Sequence, residues 1–128
     1  MKSILGVSFF TFFLFLFSPQ VLAKSIKGTI KLGSSNKRGV LFIYARRFDQ
    51  RRGPPIAVKR VNAPRFPYSF ELNANNVMLK GTPFQGPMRI EAKLSPSGNA
   101  FDKSGPKGSS QSGKRVFPGN GNIEITLK

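Results

Sequence analysis

The chain has 128 residues, room for one domain, with 21 Lys and Arg against five Asp and Glu, and neither His nor Cys. Without those two residue types, structural zinc, covalent haem attachment, type I copper and Cys- or His-based catalysis are all disfavoured, and export to an oxidising compartment imposes no disulfide. The formal net charge of +16 marks a surface that attracts polyanions by long-range steering and counterion release.

The N-terminus has three parts. Lys2 is followed by Ile4 to Phe17, a run of 14 mostly apolar residues that includes six phenylalanines. Ser18-Pro19 breaks the run, and Val21 and Ala23 occupy the −3 and −1 positions of a cleavage point before Lys24. This is the layout of a secretory signal peptide. It predicts cleavage near Ala23 and a periplasmic or secreted domain over residues 24–128. The competing reading is an uncleaved anchor, since residues 3–23 carry no charge and approach the roughly 20 residues that span a bilayer. With Lys2 set aside, 20 basic residues face the five acids, a net charge of +15. An exported protein of that charge meets anionic lipid, polysaccharide and acidic proteins, so no nucleic-acid partner is expected.

Beyond Lys24 the hydrophobic period is two almost everywhere, the mark of half-buried strands. Ile26, Gly28, Ile30 and Leu32 alternate with Lys27, Thr29 and Lys31. Gly33 to Gly39 reads as a turn. "VLFIYA" (Val40 to Ala45) is apolar on both faces and predicts a central strand. A basic loop, Arg46 to Pro55, ends in a stiff Gly-Pro-Pro. Ile56 to Val61 and Tyr68 to Leu72 read as short strands joined by the Pro-bounded Asn62 to Pro67, whose prolines discourage pairing with other chains. Asn73 to Gly86 is irregular, and its Val77, Met78, Leu79 and Phe84 are expected to plug the end of the core. Met88 to Leu94 alternates cleanly, with Arg89, Glu91 and Lys93 outward. Ser95 to Gly121 is a long loop in which Val116-Phe117 is expected to touch the sheet, and Asn122 to Lys128 is a last alternating strand. Roughly six to eight short strands with regular turn signals predict an all-β fold, an antiparallel sandwich.

Catalysis finds little support. Asp49, Glu71, Glu91, Asp102 and Glu124 lie on five separate segments. A serine nucleophile lacks a histidine base, which leaves a Ser–Lys pair as the one arrangement still open. Glu71 and Glu91 fall on wet faces, where neighbouring cations would pair with them. Met78 and Met88 read as gap fillers rather than copper ligands. The expectation is a non-enzymatic protein with no metal and no cofactor.

Three segments, "LFIYAR" (Leu41 to Arg46), "GPPIAVKR" (Gly53 to Arg60) and "IEAKLSPSGNA" (Ile90 to Ala100), together resemble the C-terminal periplasmic domain of the cytochrome c maturation factor family CcmI/CycH. Order and spacing match over about Ile26 to Gly105, and Pro106 stands where the family has Asp. The resemblance implies an immunoglobulin-like β-sandwich and a role in c-type cytochrome biogenesis, contacting apocytochrome c or the maturation machinery in the cell envelope. The family's membrane helices and helical repeats have no counterpart in the sequence, so the chain reads as the β domain alone, exported on its own signal.

Seven cations cluster between Arg46 and Arg65 with Phe48, Phe66 and Tyr68 among them, a composition suited to a shallow anion- or peptide-binding face. A solvated loop would look the same. The resemblance puts Arg46, Lys59 and Arg60 first as binding residues, ahead of the loop arginines Arg51, Arg52 and Arg65. The alternative to a protein partner is a basic module that adheres to an anionic envelope surface. Such adhesion collapses at high salt, whereas a peptide held by strand addition survives it.

Overall fold

A computed structural model of the chain describes residues 24–33, 38–111 and 114–128. The signal segment expected over residues 1–23 lies outside them. No helix among the described residues is long and apolar enough to cross a membrane.

The fold is all-β, with seven strands in two sheets among the described residues. The strands are β1 (Ile26–Leu32), β2 (Val40–Arg47), β3 (Ala57–Val61), β4 (Tyr68–Leu72), β5 (Met88–Ser95), β6 (Lys107–Ser109) and β7 (Ile123–Leu127). A three-stranded sheet has the order β4-β1-β7, and a four-stranded sheet the order β3-β2-β5-β6. Neighbours are antiparallel except β1 and β7, which run parallel with Gly28 opposite Ile123 and Leu32 opposite Leu127.

The core lies between the sheets, and the alternation in the sequence dictates who enters it. Ile26 and Ile30 of β1, Met88, Ile90, Ala92 and Leu94 of β5, and Ile125 and Leu127 of β7 are all buried. On β2, Leu41, Ile43 and Ala45 point inward. Phe42 is also only 5% exposed, yet it stands outside the core cluster because it faces away from the sandwich. This confirms β2 as the central strand, with β3 and β5 on its two edges.

The two sheets join along one side. Lys107 and Lys128 exchange backbone hydrogen bonds at 3.2 and 3.0 Å, so β6 is tied to the end of β7 as well as to β5. Gly108 permits this approach, because a Cβ there would stand 2.4 Å from the Thr126 carbonyl oxygen. The other side, between β3 and β4, is open.

The irregular segment departs from expectation. Phe84 does pack against the core, and Val77 bridges Ala57 at the start of β3. Met78 and Leu79, expected as core plugs, are instead 52% and 66% exposed. The Met78 amide donates to the Ile56 carbonyl, which continues the Val77 bridge as a short extended piece. Alternation then turns the next side chain away from the core. The long loop is more ordered than its composition suggests. It contains β6, and Val116 is buried and bridged to Met88, while Phe117 stays 45% exposed.

Candidate binding groove

The outer face of the four-stranded sheet carries a groove of about 540 Å3. Its floor is Phe42, Tyr44 and Val58. The register explains the grouping: Tyr44 stands opposite Val58 on β3, and Phe42 opposite Lys93 on β5. Met78 and Pro55 border the floor from the β3 side, and Phe101 from the β5–β6 side. Phe101 is 86% exposed, an unusual setting for a phenylalanine in a well-formed loop. Arg46, Lys93, Lys103 and Lys107 supply a basic rim.

Hydrogen bonds within the 95–105 loop hold Phe101 in place. Ser97 and Ser104 hydroxyls each donate to Asp102 at 2.7 Å, and the Ser104 amide donates to it at 2.9 Å. Asn99 accepts from the Phe101 amide at 2.8 Å, Ser95 donates to the Asn99 carbonyl at 2.8 Å, and the Lys93 ammonium donates to the Ala100 carbonyl. The Ser97 and Ser104 bonds hold the Asp102 carboxyl well below its ordinary 3.8. A depressed folded pKa means that the bonds are at full strength above the ordinary carboxylate range and weaken only as pH falls through the depressed value. The Phe101 and Ser104 amide resonances are therefore expected to hold still from pH 7 to about pH 3. Movement with a midpoint near the ordinary value would show that the serines do not hold the carboxylate. An Asp102→Asn chain should show the loosened loop already at pH 7.

Burial, then the nearby Glu91 charge, pushes the Tyr44 phenol up, partly offset by Arg46. Burial pulls Lys93 down. Both aromatic rings of the floor carry a guanidinium: Arg60 lies 5.5 Å from the Phe42 ring centre, and Arg46 lies 5.6 Å from that of Tyr44.

The six cations singled out in the sequence do not converge. Arg46 and Arg60 share the outer face. Arg46 is committed there: its Nε donates to Glu91 at 3.0 Å and its Nη1 to the Gly53 carbonyl at 2.7 Å. Arg60 is exposed and donates to Asn62 at 3.2 Å. Lys59 faces the other way. It stands opposite inward-facing Ile43 and reaches across the open side to a shallow depression with Lys27, Ser69 and Glu71. An inward-pointing charge at a sheet edge resists pairing with another chain. Arg51 and Arg52 lie in the loop before β3, and Arg65 in the connection after it, at opposite ends of a strand roughly 17 Å long. Glu91 does pair with neighbouring arginines, whereas Glu71 makes no ion pair among the described residues.

Sequence reasoning missed Phe101, Met78, Lys103 and Lys107. The available signal was weak but physical. In "SPSGNAFDKSG" a lone phenylalanine is surrounded by turn formers, which denies it a strand face to bury against.

The model of the cytochrome c-type biogenesis protein H Ig-like domain family matches residues 22–127. No curated protein matches the chain. Among solved structures, the fold is similar to that of an alternative pilotin from the type II secretion system of Vibrio cholerae. Identity is 13%, coverage is 84% of this chain and 98% of that one, and the TM-score is 0.51.

Proposed function

Since the chain belongs to the family of the cytochrome c-type biogenesis protein H Ig-like domain, we propose that it is a non-catalytic binding module of c-type cytochrome biogenesis. In this reading residues 1–23 direct export and are cleaved near Ala23, and residues 24–128 act in the periplasm. The groove over Phe42 and Tyr44 contacts a protein partner there, apocytochrome c or a component of the maturation machinery. The observation that carries the reading is a cleft on the outer face of the four-stranded sheet, bordered by the exposed apolar side chains of Met78 and Phe101. Exposed apolar surface with a polar rim is the usual anatomy of a protein-binding site.

Adhesion to an anionic envelope surface is the second reading, favoured by the net charge of +15 beyond residue 23. The two respond differently to one substitution. The 24–128 chain, which contains every strand of both sheets, is used as bait in an envelope extract washed at about 50 and about 500 mM salt. Apocytochrome c or a maturation component is expected to be retained, and Phe101→Ser should reduce its recovery at least tenfold at both salts. If everything elutes at the higher salt and Phe101→Ser changes nothing, charge alone did the binding.

A further inference from the structure

We infer that the groove recognises an acidic peptide segment through its side chains, with one aromatic or large aliphatic residue seated between Met78 and Phe101 and carboxylates on the surrounding cations. The inference rests on the binding role proposed above and names the chemistry of the occupant.

The first observation concerns the backbone. The two rings of the floor belong to β2, and both edges of β2 are already paired, to β3 and to β5. A chain lying in the groove finds no main-chain donors or acceptors in the floor. Strand addition, the mode that the sequence alone suggested, is closed to it. What the groove offers is side chains alone: the partly buried Tyr44 and Val58 between the exposed Met78 and Phe101.

The second observation concerns shape. Met78 and Phe101 border the floor from opposite sides, and both are more than half exposed. Polar contacts of Ser95, Ser97, Asn99, Asp102 and Ser104 tie the 95–105 loop, so the backbone that carries Phe101 does not need to be ordered on binding. An apolar cleft between a phenylalanine on a tied loop and an adaptable methionine suits a single bulky side chain.

The third observation is charge. Among the described residues, Arg60, Lys93, Lys103 and Lys107 form no ion pair with a carboxylate. The one acid at the rim, Asp102, is already saturated by Ser97 and Ser104. Lys93 already feels the Asp102 charge and donates to the Ala100 carbonyl, so carboxylates of an incoming segment meet Arg60, Lys103 and Lys107 as the cations without an internal partner of that kind, and a basic segment is repelled. A bilayer would meet the same cations, but a concave aromatic floor cannot be filled by a flat surface, so the observations favour a peptide.

The test uses the 24–128 chain and a fluorescein-labelled pentapeptide, Asp-Glu-Phe-Glu-Asp, followed by anisotropy at about 50 mM salt. Binding is expected, with at least a tenfold loss when the peptide phenylalanine becomes serine and a similar loss when its acids become glutamine. On the protein, Phe101→Ser and Met78→Ser should each weaken binding at least fivefold. Both side chains are solvent-exposed, so the variants fold. Arg51→Gln with Arg52→Gln should leave affinity within twofold. Equal binding of the glutamine peptide would overturn the acidic specificity, and equal binding of the serine peptide would overturn the aromatic seat. Failure of every peptide, with Phe101-dependent binding to phosphatidylglycerol vesicles, would assign the face to a membrane and sink the inference. If peptides fail while the extract still yields a maturation component in a Phe101-dependent way, the binding role stands and only the occupant is wrong.

Discussion

A Gly28→Val chain is expected to lose about 3 kcal/mol of stability, near the top of the overpacking range, and to melt at least about 10 °C lower. Strand propensity alone predicts the reverse. Valine is among the best strand formers and glycine among the worst, a difference of up to about 1 kcal/mol. Replacing glycine also reduces the freedom of the unfolded chain, worth another ~0.4–1 kcal/mol. The geometry outweighs both. Gly28 faces the core between Ile26 and Ile30, and the Phe70 ring from β4 lies over it. A Cβ at position 28 would stand 2.2 Å from the Ile123 carbonyl oxygen and 2.8 Å from the Phe70 ring edge. The ring can turn, but the carbonyl belongs to β7 and moves only if the parallel pair separates. Urea unfolding of Gly28→Val and Gly28→Ala decides between the two arguments. A gain in midpoint for either variant would mean that the β1–β7 seam yields more easily than its spacing implies.

The second large effect is expected at Glu91. Arg46 and Arg89 stand directly opposite each other across β2 and β5. Like charges in that relation repel. Glu91 resolves the conflict by accepting from both, at 3.0 Å from Arg46 and 2.9 Å from Arg89. The two guanidinia then reach onward, Arg46 to the Gly53 carbonyl and Arg89 to those of Phe48 and Gln50, which pins the loop between β2 and β3. Glu91→Ala removes two charge-assisted bonds and leaves two half-buried cations face to face. Each such bond is worth about 1.5–3 kcal/mol when well buried. With side chains still 22–28% exposed, screening lowers the total to about 2–3 kcal/mol. Glu91→Gln should lie between the two, since it keeps the shape and one acceptor. Salt offers an independent check, because about 500 mM should recover part of the alanine variant's lost stability by screening the exposed arginine pair. A loss under about 0.5 kcal/mol, the level of an ordinary surface change, would show that the loop is held by its own turn chemistry instead.

The same residues show what the sequence could and could not disclose. Strands β1, β4, β5 and β7 were legible because each buries one side of a two-residue period written directly in residue type, β2 because its apolar run covers both faces, and β3 as a short apolar segment bounded by prolines. β6 was not, because "KGS" carries no apolar alternation. It is a strand only because Gly108 lets its backbone approach Thr126 and because Lys107 pairs with Lys128. The same limit applies to the site. Arg46, Lys59 and Arg60 look equivalent as letters, but register sends Lys59 to the far side of β3, and Glu91 occupies Arg46. Only Arg60 keeps a guanidinium on the groove face with no carboxylate partner among the described residues. Met78 and Leu79 were read inward because apolar composition says that a side chain favours burial, not that space remains to bury it. Phe101 depends on a loop whose path is set by the bonds to Asp102, a contact pattern with no sequence period at all.

The parallel pairing of β1 with β7 has a consequence for assembly. The first strand of the domain rests against the last, so their contact closes a loop of almost the whole domain. Folds dominated by such distant contacts form slowly, on a scale of milliseconds to seconds. A chain that emerges N-terminus first cannot complete this core early. Until Ile125 and Leu127 arrive, one edge of β1 stays unpaired and Ile26 and Ile30 lack part of their cover. Completion of the core is thereby deferred until the last strand is available, and the chain commits to its compact state only once β7 has been released.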